Sequence, residues 1–261
     1  MSDEEKIVDV SQLPEDPFKM PPPYWRSGGA IFHVQESLEV LLHLLEKLIG
    51  VHDETELSLE EYYQKHPEPS DEESDDSEFA DICDALWELE HRVKLKCEVA
   101  VLMSAIEAED SINRFCVYNL SKHIAEPIET LSPPEKLIVA SAVLGQPSPK
   151  GKDVFESIRK LSAWRNAFAH GHCVDRPTKS LRHNHLISPS EYPGIPSSLG
   201  SVKELVGGFT KVSDYLKSIS KNPYTSGESA DVEEIRSKVR ALNRYRFVGN
   251  NYAYSIEVTK A

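Results

Sequence analysis

The strongest constraint on the fold is a stretch of 42 residues, from Phe79 to Leu120, that contains neither proline nor glycine. Apolar residues recur in it at intervals of three and four, which is the period of an amphipathic helix. The stretch therefore predicts one long helix, or two helices joined by a bend. Similar patterns occupy most of the chain, and no alternation of strands with helices is evident, so the expected fold class is all-α.

Further amphipathic helices are predicted on both sides of this stretch. The clearest start signal is Ser132 as N-cap, with Pro133 at the first helical position and Glu135 three residues after the cap. A similar signal is Asp231 with Glu234. The predicted helices cover residues 30–50, where Gly50 would end the helix, and residues 58–65, 133–144, 154–170, 202–219 and 231–246.

Four segments are not expected to be helical. Residues 1–29 are rich in proline and predict an extended arm. Residues 67–78 hold seven carboxylates and no apolar residue, which predicts a disordered loop that is either a linker or an acidic surface toward a basic partner. Proline and glycine predict an irregular loop over residues 173–200. Residues 244–260 alternate aromatic and β-branched residues around a turn signal, which predicts a small β-hairpin.

The chain is thereby divided into an arm (1–29), an N-terminal helical segment (30–66), the acidic loop (67–78) and a helical bundle (79–261). The net charge of -14 is divided unevenly among them. Residues 1–90 hold 25 acidic and 5 basic side chains, whereas residues 91–261 hold 18 acidic and 24 basic ones. An acidic N-terminal extension thus precedes a mildly basic part in which phosphate binding is electrostatically permitted.

The surroundings of the protein are predicted from its apolar runs and its cysteines. No run of eighteen apolar residues occurs and the N-terminus is acidic, so we expect a cytoplasmic protein that makes no membrane contact. The cysteines lie far apart and form no CxxC pair, which favours reduced thiols. Three of the four, Cys83, Cys97 and Cys116, fall in helical patterns and are expected in the core. The fourth is Cys173.

Two groups of polar residues on otherwise apolar helices mark the candidate site. Asn166 and His170 are four residues apart and share a helix face, and Arg165 lies about 140° around the helix from His170. Upstream, Glu109 and Asn113 have the same spacing of four. If the two helices pack side by side, Glu109 and Asn113 would support the side chains of the downstream group.

These features resemble the HEPN superfamily of helical proteins. The resemblance rests on the motif at residues 165–170, on the helix with Glu109 and Asn113, and on Lys136 between them, and it covers residues 91–220. It implies a HEPN-like bundle that acts as a metal-independent endoribonuclease without a cofactor, in toxin–antitoxin or antiviral (phage) defence. The partners it implies are RNA, a second copy in a homodimer, and a neutralising protein or nucleotidyltransferase-type antitoxin.

In that reaction the 2′-hydroxyl of RNA attacks the adjacent phosphate. His170 would transfer protons, because the ordinary pKa of histidine lies near neutrality. Arg165 would stabilise the developing negative charge with paired donors. Asn166 would orient the phosphate or the imidazole.

Two other interpretations remain open. Arg165 and His170 would merely cap a helix and pair with Glu109 in an inactive HEPN-like scaffold that binds protein partners through its acidic N-terminal region. Alternatively, a metal ion would be held by loop residues that suit zinc, namely His170, His172, Cys173, His183 and His185. Other enzyme classes find no support, because the sequence lacks GxGxxG, GxxxxGK[ST] and GxSxG motifs.

Overall fold

The computed structural model describes residues 29–66, 77–169, 195–221, 229–249 and 254–259. These residues form seven α-helices, one 3₁₀ turn and a two-stranded antiparallel sheet, which confirms the expected helical class with a small C-terminal hairpin. The elements are α1 (Gly29–Lys65), α2 (Ser77–Asn119), α3 (Lys122–Ala125), the 3₁₀ turn (Pro127–Thr130), α4 (Pro133–Val143), α5 (Asp153–Ala169), α6 (Ile195–Ile219), α7 (Ser229–Leu242), β1 (Tyr245–Gly249) and β2 (Tyr254–Val258).

Helix α2 is the centre of the bundle. It packs against α1, α4, α5 and α6, while α7 packs against α1 and α6. Small buried residues along α2 permit this, because the distance between helix axes depends on the side chains at the contact. These residues are Ala100, Ser104, Ala105, Ala108 and Ser111. Of the two predicted alternatives, one long helix or two joined by a bend, the structure shows the single helix. It starts two residues early, so that Ser77 and Glu78 are helical and not part of the acidic loop.

Helix α1 does not end at Gly50, and that prediction was wrong. The helix continues to Lys65 and includes the separate helix predicted at 58–65. Its buried side extends past Gly50 to Thr55, whose hydroxyl donates to the carbonyl of Val51 at 2.8 Å. A glycine inside a helix costs about 1 kcal/mol, and packing against α2 outweighs that cost.

Helix α6 begins at Ile195, within the segment 173–200 that the sequence predicts as an irregular loop. Pro196 is its second residue, where a missing N–H breaks no intrahelical hydrogen bond. Residues 173–194 of the predicted loop, like residues 1–28 of the arm and 67–76 of the acidic loop, lie outside the described residues.

Helix α7 also departs from its predicted bounds. It runs from Ser229 to Leu242, whereas the sequence predicted a helix over residues 231–246. Asp231 and Glu234 accept hydrogen bonds from the side-chain amide of Gln35 on α1, at 3.3 Å and 3.1 Å, and Asp231 lies inside the helix instead of before it. The carboxylates thus join two helices.

The predicted start of α4 is confirmed. Glu135 accepts hydrogen bonds from the backbone N–H of Ser132 at 2.9 Å and from its hydroxyl at 2.6 Å. Both bonds favour the carboxylate form and lower the pKa of Glu135. Pro133 lies at the start of the helix, as expected.

The prediction that the three cysteines in helical patterns lie in the core is confirmed. Cys83, Cys97 and Cys116 are buried free thiols. Burial raises the pKa of Cys97 to about 12 and that of Cys116 to about 11, so these thiols are unreactive at neutral pH. Cys173 lies outside the described residues.

The C-terminal hairpin pairs Gly249 with Tyr254 at its turn and packs on the bundle. The hydroxyl of Tyr254 donates a hydrogen bond to Glu90 on α2, and the ammonium of Lys203 on α6 donates to the carbonyl of Tyr245 at 3.2 Å. Within the described part of the chain, none of the helices is both long and apolar enough to cross a membrane.

Adjacent glycines in α6 provide a test of how closely α5 and α6 pack. A methyl group added at Gly208 would lie 3.2 Å from Cβ of Ser157, whereas one added at Gly207 would meet nothing within 4 Å. Gly207→Ala should raise the free energy of unfolding by about 0.5–1 kcal/mol through helix propensity. Gly208→Ala should be less stable than Gly207→Ala by about 1 kcal/mol or more, because overpacking opposes the same gain. Urea unfolding of both variants measures the difference, and equal stability would contradict the close packing.

Candidate functional site

The centre of the candidate site is an ion pair between α2 and α5. The guanidinium Nη2 of Arg165 lies 2.8 Å from Oε2 of Glu109, and the two side chains are 32% and 25% exposed. The packing of α2 against α5 therefore brings together Glu109 and Arg165, the contact expected if the two motif-bearing helices lie side by side. The pair is open to solvent on one side.

Asn113 does not join that pair. Its side-chain oxygen accepts a hydrogen bond from the ammonium of Lys136 on α4 at 2.8 Å, and Lys136 is only 5% exposed. The expected support of Arg165 by Asn113 is therefore replaced by a contact between α2 and α4. Glu109 and Asn113, one helical turn apart, connect α2 to two different helices.

The last turns of α5 carry several hydrogen-bond donors that have no partner within the described residues. They are the Nε of Arg165, the Nε1 of Trp164 and the hydroxyl of Ser162, all buried. Glu109 uses one of the five N–H groups of the guanidinium. Because Nε is buried, only the remaining N–H groups of the guanidinium, on a side chain that is 32% exposed, can reach an anionic oxygen. Asn166, the next residue, is exposed.

An exposed aromatic ring contacts Trp164, the residue before Arg165. Phe168 is 45% exposed and stacks on Trp164, with ring centroids 5.3 Å apart and an angle of 18° between the planes. Trp164 itself is buried. Phe168 therefore presents a ring at the end of α5, close in sequence to Arg165 and Asn166.

The remaining candidate residues lie outside the described part of the chain. Helix α5 is described up to Ala169, the residue before His170. All candidate ligands of the alternative metal site lie in the segment 170–194, which the structure does not describe; they are His170, His172, Cys173, His183 and His185.

A second ion pair on α2 was missed by the sequence analysis. Arg114 Nη2 lies 2.5 Å from Oε1 of Glu107, which is fully buried, and Ser111 donates to the same oxygen at 3.3 Å. The spacing of four and seven residues places all three side chains on one face of the helix. That spacing was the sequence feature from which the pair could have been predicted. Because Glu107 is buried and paired inside its own helix, we assign this pair to stability.

Comparison of the chain with protein-family models, with curated proteins and with solved structures gave no match. Function is therefore inferred from the side chains themselves. The most informative are Glu109 and Arg165, with the exposed Asn166 and Phe168 beside them.

The two ion pairs on α2 should differ in what they contribute to stability. Glu109→Gln should lower the free energy of unfolding by at most about 1 kcal/mol, as for other solvent-exposed pairs. Glu107→Gln should lower it by about 3 kcal/mol, because it leaves Arg114 without its buried carboxylate. Chemical denaturation followed by circular dichroism compares the two. If Glu109→Gln lowered the free energy of unfolding as much as Glu107→Gln, the pair of Glu109 with Arg165 would be a structural contact and not part of a binding site.

Proposed function

We propose that the protein is a metal-independent endoribonuclease of HEPN type that cleaves RNA at the end of α5. The observation that carries the proposal is the partly exposed ion pair between Glu109 and Arg165. It fixes the arginine of the motif at the surface while leaving other donors of the guanidinium for a ligand. The setting of toxin–antitoxin or phage defence follows from the resemblance alone.

Arg165 is suited to bind the phosphate. A guanidinium stays charged at every physiological pH and offers paired N–H donors that match phosphate oxygens. Glu109 holds Nη2 at 2.8 Å and so restricts the rotation of the long side chain. Positioned donors stabilise charge that develops in the transition state, and they do so without reorganising during the reaction.

His170 and Asn166 complete the reaction. The 2′-oxygen of the ribose forms a bond to phosphorus, and the bond from phosphorus to the 5′-oxygen of the next nucleotide breaks. A base removes the proton of the 2′-hydroxyl, and an acid protonates the leaving 5′-oxygen. His170 follows directly on the last described residue of α5, and Asn166, four residues before it, orients the phosphate or the imidazole. The products are a 2′,3′-cyclic phosphate and a 5′-hydroxyl.

The exposed ring of Phe168 gives the substrate a further contact. Unpaired bases of RNA stack on aromatic side chains and on guanidinium planes. Phe168 and Arg165 lie within one helical turn of each other and offer both kinds of surface. A single-stranded RNA loop is therefore the substrate that this end of the helix fits best.

The same ion pair also supports a second candidate function. An inactive scaffold of the same fold would keep Arg165 paired with Glu109 as a structural contact between α2 and α5, and would use its acidic N-terminal region to bind a protein partner. The two functions differ in their need for His170, which a scaffold does not require.

Replacement of His170 should therefore abolish cleavage. Purified His170→Ala protein, incubated with total RNA or tRNA, should produce no new ends, and its expression should no longer inhibit growth. Wild-type protein should cleave equally well in EDTA and leave 2′,3′-cyclic phosphate ends. His123→Ala is the matched control, because His123 is an exposed histidine on the short helix α3.

Cleavage by well-folded His170→Ala protein at the wild-type rate would exclude the proposed catalytic site, and the inactive scaffold would then be the remaining candidate function. A requirement for Mg²⁺ or Zn²⁺ would point to the alternative metal ligands. Loss of activity in both histidine variants would indicate damage unrelated to the motif.

We further propose that the active species is a two-fold homodimer. One helix end supplies one histidine, whereas RNA cleavage is best served by one group that removes a proton and another that donates one. A two-fold axis near the end of α5 would bring Arg165 and His170 of both copies to one phosphate.

Mixed dimers provide the test of a shared site. Wild-type protein mixed with excess His170→Ala protein under exchange conditions should lose more activity than dilution accounts for, because each mixed dimer carries half a site. The same excess of His123→Ala protein should cause no such loss. Activity proportional to the wild-type fraction, or full activity in a verified monomer, would exclude the shared site.

A further inference from the structure

A group of three side chains on α1, distant in sequence from the motif, has the composition of a metal site. His52, Asp53 and Glu56 each offer one ligand atom, and these atoms all lie within 4.8 Å of one another. The imidazole is 11% exposed and Glu56 is 64% exposed. The ring is thus held in place by its surroundings, whereas the carboxylates are free to rotate.

The hydrogen bonding of His52 determines which ring nitrogen is available. Nε2 lies 2.8 Å from the carbonyl oxygen of Tyr254 in the C-terminal hairpin. Because a carbonyl only accepts hydrogen bonds, Nε2 carries the hydrogen. In the neutral ring Nδ1 then bears a lone pair, and it lies on the side of Glu56. A backbone carbonyl that accepts from the second ring nitrogen is the usual partner of a metal-ligating histidine.

The distance from Nδ1 to Glu56 also favours an ion between them. Nδ1 of His52 lies 3.9 Å from Oε1 of Glu56, which is too long for a direct hydrogen bond. Two metal–ligand bonds of about 2.1 Å separate their ligand atoms by about 3.4 Å at a tetrahedral angle. Rotation of the exposed carboxylates of Asp53 and Glu56 is sufficient to close the remaining gap.

We propose that His52, Asp53 and Glu56 bind one divalent transition-metal ion of the zinc class. Nδ1 and one oxygen from each carboxylate are the ligands, and water completes the coordination. The imidazole selects against Mg²⁺ and Ca²⁺, which prefer sets of oxygen ligands. A metal on Nδ1 polarises the ring and strengthens the bond from Nε2–H to Tyr254, so the ion fastens the hairpin to α1.

The test is a titration of the full chain with ZnCl₂ alone, followed by calorimetry. Wild-type protein should bind zinc at this site in the micromolar range, and Asp53→Asn/Glu56→Gln should lose one equivalent per chain. Both replaced side chains are exposed, so the variant should keep its fold, which circular dichroism checks. Glu36→Gln is the matched control, because Glu36 lies 3.7 Å from His33 on the same helix and none of the described residues adds a third ligand to that pair.

Zinc should also raise the melting temperature of wild-type and Glu36→Gln protein more than that of the double variant. Equal zinc binding by wild-type and double variant would place the ion elsewhere in the chain and overturn the proposal. The absence of binding to wild-type protein would overturn it too. No RNA enters these measurements, so their outcome is independent of the proposed cleavage.

Discussion

The burial of α2 on several sides is the constraint on which the structure depends. In the second half of α2, residues 97–119, no position is exposed, so the polar groups there require partners. Glu107 is paired with Arg114 inside the helix, whereas Glu109 and Asn113 find Arg165 and Lys136 on neighbouring helices. The polar residues of α2 thereby determine how α4 and α5 are placed against it.

The features of the fold that were predicted correctly depend on local interactions. The start of α4 is encoded within four residues, because Ser132 and Glu135 bond to each other. The end predicted at Gly50 failed because packing against α2 continues beyond it, which no local pattern records. Asp231 and Glu234 resemble a cap in sequence, yet their partner Gln35 lies 196 and 199 residues away.

The contacts of the candidate site also differ in whether they could be predicted from the sequence. Glu109 and Arg165 could be associated from the sequence, since each is a polar residue on an otherwise apolar helix and two such helices tend to bury their apolar faces together. The partner of Asn113 could not be predicted from the sequence, because it depends on where α4 crosses α2. Glu107 was not predicted because a carboxylate on a helix is usually exposed, and only the packing of α2 shows that this one, paired with Arg114, is buried. The role of His170 stays a prediction.

The contacts of α1 with the C-terminal residues affect how the chain folds during synthesis. His52 meets the carbonyl of Tyr254, 202 residues later, and Glu39 meets Lys238, 199 residues later. Contacts of such sequence separation form slowly, and a ribosome releases the N-terminal partner long before the C-terminal one exists. Part of the surface of α1 therefore stays uncovered until the residues of α7 and of the hairpin have been translated. A stop codon before Tyr254 would remove the strand that contacts His52 and leave that part of the first helix exposed to chaperones and proteases.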